Sequence, residues 1–107
     1  MTFNANRRGM QIVDPTSGGA VTTAISAGTA ANTVISANPG KLCRILVTTV
    51  GTNPLQVFDN ASTNSGTIIA ALAASAPIGI YDFQMPAANG ITVAGNAANP
   101  AVTIGWE

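Results

Sequence analysis

Short runs of alternating hydrophobic and polar residues cover most of the chain, and turn residues such as Asn, Pro and Gly separate them. The clearest run is LCRILVTTV (42–50), which is apolar on both faces and predicts a central strand covered on both sides. Roughly seven or eight such runs, spaced about ten residues apart, are typical of a sandwich or small barrel. The pattern therefore predicts an all-β fold, a small antiparallel β-sandwich or barrel of seven or eight short strands, with no helix of ordinary length.

The directions of individual side chains follow from the two-residue period of a strand, in which alternate residues share a face. In the run at 55–60, Gln56 and Phe58 are expected to point away from Leu55 and Val57. In the run at 78–85, Tyr81 and Phe83 point away from the two isoleucines. Three sets of residues are therefore expected to share a face: Leu55 with Val57, Ile78 with Ile80, and Val102 with Ile104 and Trp106.

Three further segments carry local predictions. Asn89-Gly90 predicts a hairpin-type turn, because this dipeptide favours the tight turns that join antiparallel strands. The segment Ala70–Ala76 fits either the end of a strand or a helical turn, and the sequence leaves both open. The run at 101–107 reaches the end of the sequence, which predicts that its last residues are paired inside a sheet.

Residues 1–31 differ from the rest of the chain. Their apolar residues are scattered, and a turn signal, DPTSGG (14–19), is followed by small residues with little to bury. This composition predicts an N-terminal arm that is extended in part, with a strand at Ala20–Ser26. The regular strand pattern predicts a β-sandwich domain at residues 32–107.

Charge is scarce in this protein. Charged residues make up 7% of the chain, against roughly 25% in globular proteins, and the net charge is zero. Four cations are too few to neutralise a nucleic-acid backbone. The longest apolar run, at 67–81, contains Pro77 and is too short for a spanning helix. The sequence thus predicts no nucleic-acid or membrane partner, and a neutral surface on which copies repel each other little.

The core expected from this sequence is small. Large side chains are few, and the single cysteine excludes an intrachain disulfide. A domain of this size buries only about 60% of its unfolded surface. We therefore expect oligomerisation, as a trimer or dimer, to cover strand edges that carry almost no protective charge.

Most catalytic chemistry is excluded by the absence of histidine, the commonest general base and transition-metal ligand. Cys43 lies in the strongest predicted strand and is expected to be a buried, inert thiol. Trp106 could stack on a sugar, but its place in an alternating strand favours a core position. The motif Asn60-Ala61-Ser62 is formally a glycosylation acceptor, but no secretory signal accompanies it.

Two aspartates remain as candidates for chemistry. Asp59 and Asp82 both follow a hydrophobic residue late in a strand, so they could form a carboxylate pair. We favour a different role, in which each accepts backbone N–H bonds at a strand end. Calcium at Asp59 with Asn60 and loop carbonyls is a further alternative. We predict turn residues here, with no catalytic site, no metal and no cofactor.

The stretch NPGKLCRILVTTVGTNPLQVFDNASTNSGT (38–67), then an Ile/Ala segment, then NGITVAGNAANPAVTIGWE (89–107), resembles small virion proteins of tailed bacteriophages. The likeness covers residues 33–107 and consists of strand and turn positions. It rests on Pro39, Gly40, Leu42, Ile45, Val47, Val57, Phe58, Asp59, Asn60, Ser62, Ser65, Gly66, Thr67, Gly90, Ile91 and Val93.

The resemblance implies a virion structural protein and not an enzyme. Proteins of this kind are jelly-roll or similar sandwiches that decorate or cement the capsid exterior, often as trimers bound to the major capsid protein. We therefore expect a decoration protein that is synthesised in the host cytoplasm and located on the outside of a phage head. Related modules occur in head fibres and tail parts, so a fibre or tail component, or a receptor- or glycan-binding module, is the alternative.

In this reading the arm makes the contact with the coat. Arg7 and Arg8 could dock on an acidic partner surface, although a solvated arm explains them equally well. The residues expected to bind the major capsid protein are Phe3, Arg7, Arg8, Met10, Ile12 and Val13.

Overall fold

A computed structural model describes residues 18–107 of the chain. These residues form eight β-strands and no helix, which confirms the all-β prediction. In chain order the strands are β1 (Val21–Ile25), β2 (Thr33–Ser36), β3 (Gly40–Thr49), β4 (Leu55–Asp59), β5 (Thr67–Leu72), β6 (Gly79–Ala87), β7 (Ile91–Val93) and β8 (Ala101–Trp106).

The strands form two four-stranded sheets, with orders β1-β8-β3-β6 and β2-β7-β4-β5. Every pairing is antiparallel. The pairs are nested along the chain, because β1 pairs with β8, β2 with β7, β3 with β6 and β4 with β5. The predicted antiparallel β-sandwich is confirmed. Its finer assignment to the jelly-roll class stays a prediction at this point.

The core consists of apolar side chains from both sheets that are buried together. Strand β3 lies between two neighbours, as predicted, but it is not covered on both faces. Leu46 is 36% exposed, whereas Ile45 and Val47 on either side of it are fully buried. Burial on one face explains the difference, because only one face of a sheet meets the other sheet in a two-layer sandwich. The fully buried aliphatic residues are Leu42, Ile45, Val47, Val57, Ile91 and Ile104.

The pairing of β3 shifts register between Leu42 and Arg44, which marks a β-bulge. Adjacent residues Leu42 and Cys43 are therefore both buried, in contrast to simple alternation. On the partner strand, Gln84 has a positive φ of 54°. The bulge changes which alternate residues of β3 face the core. The run 42–50 therefore has apolar residues at both odd and even positions, and in the sequence it looked apolar on both faces.

The predicted faces of the later strands are confirmed. Ile78 and Ile80 are exposed, whereas Tyr81 and Phe83 pack against the core. The backbone of Glu107 exchanges hydrogen bonds of 2.9 and 3.0 Å with Lys41, so the end of the sequence is paired as expected. The other predicted set, Val102, Ile104 and Trp106, lies on the core face, with Trp106 partly buried.

The segment Ala70–Ala76 is divided between a strand and a turn. Strand β5 ends at Leu72, and the chain then turns through Ser75, whose φ is 57°. A helical turn, the other possibility that the sequence left open, does not form there.

Earlier in the chain, the strand predicted at Ala20–Ser26 is β1, which pairs with β8 and places Ile25 in the core. The described part of the segment assigned to the arm thus contributes a strand to the sandwich.

The prediction of a hairpin at Asn89-Gly90 is wrong. This dipeptide joins β6 and β7, which belong to different sheets. The glycine is required by a close approach of backbones, because a Cβ on Gly90 would lie 2.6 Å from the carbonyl oxygen of Ser36. The short polar link between these two runs is therefore a crossing between the sheets and not a turn between paired strands of one sheet.

Two neighbouring isoleucines of β5 provide a matched test of the core. Ile69 is 4% exposed and belongs to the core, whereas Ile68 is 46% exposed. We expect Ile69→Ala to lower the free energy of unfolding by about 2–4 kcal/mol, because it leaves a cavity, and Ile68→Ala by less than about 1 kcal/mol. Urea unfolding of both variants measures the difference. Equal losses would contradict this description of the core.

Candidate functional site

Asp59 stands at the end of β4 and holds the connection between β6 and β7. Its carboxylate oxygens accept hydrogen bonds from the backbone N–H groups of Asn89 at 2.8 Å, Ala88 at 3.1 Å and Gly90 at 3.4 Å. The predicted role as an acceptor of backbone N–H bonds is confirmed. The donors lie about 30 residues further along the chain, so the aspartate closes a long-range crossing in addition to ending its own strand.

Asn60 organises the loop that follows. Its Oδ1 accepts hydrogen bonds from the N–H groups of Ser62 and Thr63, both at 2.9 Å, and its Nδ2 donates to the Ser65 carbonyl at 3.1 Å. Gly66 then leaves the loop with a φ of 94°, a conformation that favours glycine. The side chains of the loop are thus engaged in closing the loop itself, as the turn prediction required.

The pKa of Asp59 is lowered, first by the hydrogen bond from Asn89 and further by those from Ala88 and Gly90, against a smaller opposing effect of desolvation. The carboxylate therefore stays ionised throughout the neutral range. A general acid or base needs a pKa near the working pH, and Asp59 is shifted the wrong way. Its geometry and its charge both suit a structural acceptor.

Among the contacts of residues 18–107, Asp82 accepts bonds from side chains and none from a backbone N–H, which contradicts that part of the prediction. It lies opposite Arg44 in the β3–β6 pairing and accepts hydrogen bonds from Arg44 Nε at 3.4 Å and from Gln84 Nε2 at 2.7 Å. Its position within β6, and not at a strand end, explains the change of partners. Asp59 and Asp82 are in different sheets and, among the described contacts, share no hydrogen-bond partner.

Cys43 is fully buried, as predicted. Its thiol donates to Glu107 Oε2 at 3.4 Å. Burial raises the pKa of this thiol, and the hydrogen bond to the Glu107 carboxylate and the negative charge of that group raise it further. A protonated, inaccessible thiol is a poor nucleophile.

Metal binding finds no support within residues 18–107, where no cluster of three or more His, Cys, Asp and Glu residues occurs. The carboxylate of Asp59 faces backbone N–H groups, which a cation would repel. The arrangement therefore does not fit the calcium alternative at Asp59 and Asn60.

Within residues 18–107, no helix is long and apolar enough to cross a membrane.

An open cleft of about 540 Å³ lies where the β5–β6 turn meets β6. Its walls include Leu72, Pro77, Tyr81 and Phe83, and the Tyr81 hydroxyl donates to the Pro77 carbonyl at 2.7 Å. A ligand site of this size normally combines apolar walls with polar groups that orient the ligand. Here the tyrosine hydroxyl is used to hold the turn.

Trp106 is partly buried against the core, and its indole N–H donates to the Thr23 hydroxyl at 3.1 Å. The core position that we preferred for this residue agrees with this packing. An indole that is held between a strand and the core offers less surface to a sugar than an exposed ring would. The six arm residues expected to bind the coat, Phe3, Arg7, Arg8, Met10, Ile12 and Val13, lie outside the described residues.

Two buried polar residues escaped the sequence analysis. Thr92 is fully buried, and its hydroxyl donates to the carbonyl of Asn60 at 2.8 Å. Asn99 is 6% exposed, donates to the Ala94 carbonyl and accepts from Asn53, both at 2.8 Å. Nothing in the local pattern distinguishes these residues from other Thr and Asn residues, because Thr92 binds Asn60 and Asn99 accepts from Asn53, and both partners are distant in sequence.

Comparison of the chain with protein-family models, with curated proteins and with solved structures gives no match. The resemblance to phage virion proteins is therefore supported by the motif residues alone. The structure gives most of those residues folding roles, since they are buried in strands, close the loop or permit a close approach of backbones, whereas Pro39 and Thr67 are exposed.

Asp59→Asn tests the bridge between β4 and the β6–β7 connection. We expect the free energy of unfolding to fall by about 1–2 kcal/mol at neutral pH, because an amide N–H₂ replaces one acceptor oxygen facing the backbone donors. The folded-state pKa lies below the ordinary value of about 4, so the contribution is complete above that value. It disappears as the pH falls through the lowered pKa.

Chemical unfolding of the wild type and the variant should therefore differ at pH 7, and the difference should shrink as the pH is lowered through the lowered pKa of Asp59. Asp82→Asn is the matched control, because its ion pair with Arg44 is exposed, with side chains 48% and 41% accessible. We expect that control to change stability by less than about 1 kcal/mol. A loss for Asp59→Asn that is no larger than the control's would refute the bridging role.

Proposed function

We propose that this protein is a capsid decoration protein that binds the outside of a phage head as an oligomer, in the simplest case a trimer, and stabilises the shell. The partner is the major capsid protein, and the protein acts through binding and not through catalysis. The motif resemblance suggests this role, and three features of the described residues support it.

The observation that carries the proposal is the nested strand pairing. The chain folds back on itself, so that β1 meets β8, β2 meets β7, β3 meets β6 and β4 meets β5, and this nested pairing in two sheets supports the proposed assignment to the jelly-roll class. Viral capsid domains, lectins and cupins use this architecture. A fold alone does not determine function, but this architecture and the phage-like motif point in the same direction.

The second supporting feature is the charge distribution. Residues 18–107 contain five charged side chains, those of Lys41, Arg44, Asp59, Asp82 and Glu107. Asp59 is occupied by backbone donors, and Arg44 pairs with Asp82. Little charge remains in this part of the chain to make copies repel each other or to attract a polyanion. Such a surface suits many copies placed side by side on one shell.

The third feature is the state of the sheet edges. The edge strands are β1 and β6 in one sheet and β2 and β5 in the other. Asp82 is the only charged residue in these four strands. Charge and proline normally protect a free edge, and β6 carries both, as Asp82 and Pro86. Strands β1, β2 and β5 carry neither, so these three edges are suited to pairing with another chain. Edge pairing between copies is the physical basis on which we propose an oligomer.

Lectins share the same architecture, so a glycan-binding or receptor-binding module in a fibre or tail remains the second candidate. The partly buried position of Trp106 and the occupied hydroxyl of Tyr81 favour it less. Binding of the purified protein to an array of host glycans, without binding to phage heads, would support this alternative.

The copy number of this chain in purified particles tests the proposal directly. A decoration protein covers the shell, so we expect a number comparable to that of the major capsid protein, measured by quantitative mass spectrometry of intact particles. A few copies per particle would indicate a fibre, tail or vertex component. Absence from particles would overturn the virion role.

Deletion of residues 1–13 tests the arm. All eight described strands lie beyond this segment, so we expect the truncated protein to keep its β-sheet circular dichroism and its cooperative unfolding. It should lose binding to undecorated heads in a co-sedimentation assay, because the proposed coat contacts are removed. Ile68→Thr in the full chain is the control for a surface change elsewhere. Full binding by the truncated protein would overturn the role of the arm.

A further inference from the structure

One face of the sandwich carries an exposed apolar strip, formed by Leu46, Ile78 and Ile80. Leu46 and Ile80 are directly opposite each other in the β3–β6 pairing. They are 36% and 67% exposed, and Ile78, just before β6, is 65% exposed. Side chains on the same face include the neutral Thr103, which is opposite Leu46 on β8. An apolar strip of this kind on a sheet face indicates a contact surface.

The described chain begins beside this strip. Gly18 lies directly over Gly105 of β8, since a Cβ on Gly105 would collide with the Gly18 carbonyl oxygen. A Cβ on Gly18 would in turn lie 3.4 Å from Nη1 of Arg44 on β3. Gly18, Arg44, Leu46 and Ile80 line one shallow depression of about 190 Å³. The chain therefore enters the described structure across the outer face of this sheet.

The direction of the chain at this point is informative. Going backwards from β1 at the edge, the chain passes over β8 at Gly105 and reaches the side chain of Arg44 on β3. The next strand in that direction is β6, which contributes Ile80 to the strip. Strands in a sheet are about 4.8 Å apart, so β6 is roughly 10 Å from β8.

The preceding residues have the composition and the length to cover the strip. Met10, Ile12 and Val13 are the apolar residues nearest to Gly18 in the segment 1–17. Five extended residues reach about 16 Å and eight reach about 26 Å, which spans the distance from Gly18 to β6. In an extended segment, residues two apart share a face, so Met10 and Ile12 can meet the strip together.

We propose that residues 10–13 pack in cis on the strip of Leu46, Ile78 and Ile80 in the free protein. This contact removes apolar side chains of both the segment and the sheet from water. The occupant is the chain's own segment, because its attachment point lies at the strip and its effective concentration there is high. The proposal concerns the free protein and does not depend on the shell role. A coat surface would compete with the strip for the same residues.

Amide hydrogen exchange of the full chain, read by mass spectrometry on peptides that contain Met10–Val13, tests the contact. A synthetic peptide of residues 1–17 gives the exchange rate without the sandwich. We expect these amides to exchange about tenfold more slowly in the full chain than in the peptide. The slowing should not depend on protein concentration, because the contact is within one chain.

Substitutions in the strip test whether the strip itself is the surface that slows exchange. Leu46→Thr with Ile80→Thr places β-branched residues, which suit a strand, at both positions and should return the exchange of Met10–Val13 to the peptide rate. Ile68→Thr, an exposed isoleucine of the other sheet, is the matched control and should leave the slowing intact. Unchanged exchange in β8 peptides verifies that each variant is folded. Met10→Ser with Ile12→Ser changes the segment and not the strip, and it should likewise abolish the slowing of amide exchange.

Three outcomes would overturn the proposal. Exchange at the peptide rate in the wild-type chain would show that the strip is not covered by this segment. Slowing that survives the double substitution in the strip would place the contact elsewhere. Slowing that grows with concentration, together with oligomer formation, would assign the segment to a neighbouring copy. All measurements use free protein without phage heads, so none of them depends on whether the shell role is correct.

Discussion

Burial of one face of each sheet against the other is the constraint on which this structure depends. The chain has one cysteine, and residues 18–107 contain no metal cluster, so no covalent or ionic bridge supplements that contact. The buried side chains are mostly Val, Ile, Leu and Ala. With so few large residues, the sandwich must close tightly, and the bulge leaves adjacent residues both buried, Leu42 in the core and Cys43 against the Glu107 carboxylate.

Polar side chains stabilise the crossings between the sheets, where no ladder of strand pairing exists. Thr92 binds the backbone at Asn60 within one sheet, at the end of the β4–β7 pairing, whereas Asp59 binds the link from β6 to β7, which crosses between the sheets. Asn99 holds its own segment to Asn53 in the same way. Each of these side chains is used within the fold and is therefore not available to a substrate. The motif that resembles virion proteins is therefore a signature of the sandwich and its crossings.

The sequence predicted local features well and long-range features poorly. Alternation gave the facing of Ile80, Tyr81 and Ile104, because each side chain follows the strand period directly. It failed where pairing between distant strands decides the outcome. Asn89-Gly90 looked like a hairpin turn, although its neighbours belong to different sheets, and Asp82 took its partner from β3. The role of Asp59 as an acceptor was predictable, but its donors in the β6–β7 link were not.

A protein that uses its polar groups internally must recognise partners with what remains outside. Here the outside offers edge strands with almost no charge and a strip of large aliphatic side chains on one sheet face. Both are suited to contact with polypeptide, from this chain or another, since backbone edges can bind strands and aliphatic strips can bind apolar side chains. Neither depends on charge, so salt would weaken such contacts little. This combination suits repeated association with protein on a regular surface better than recognition of a small, polar ligand.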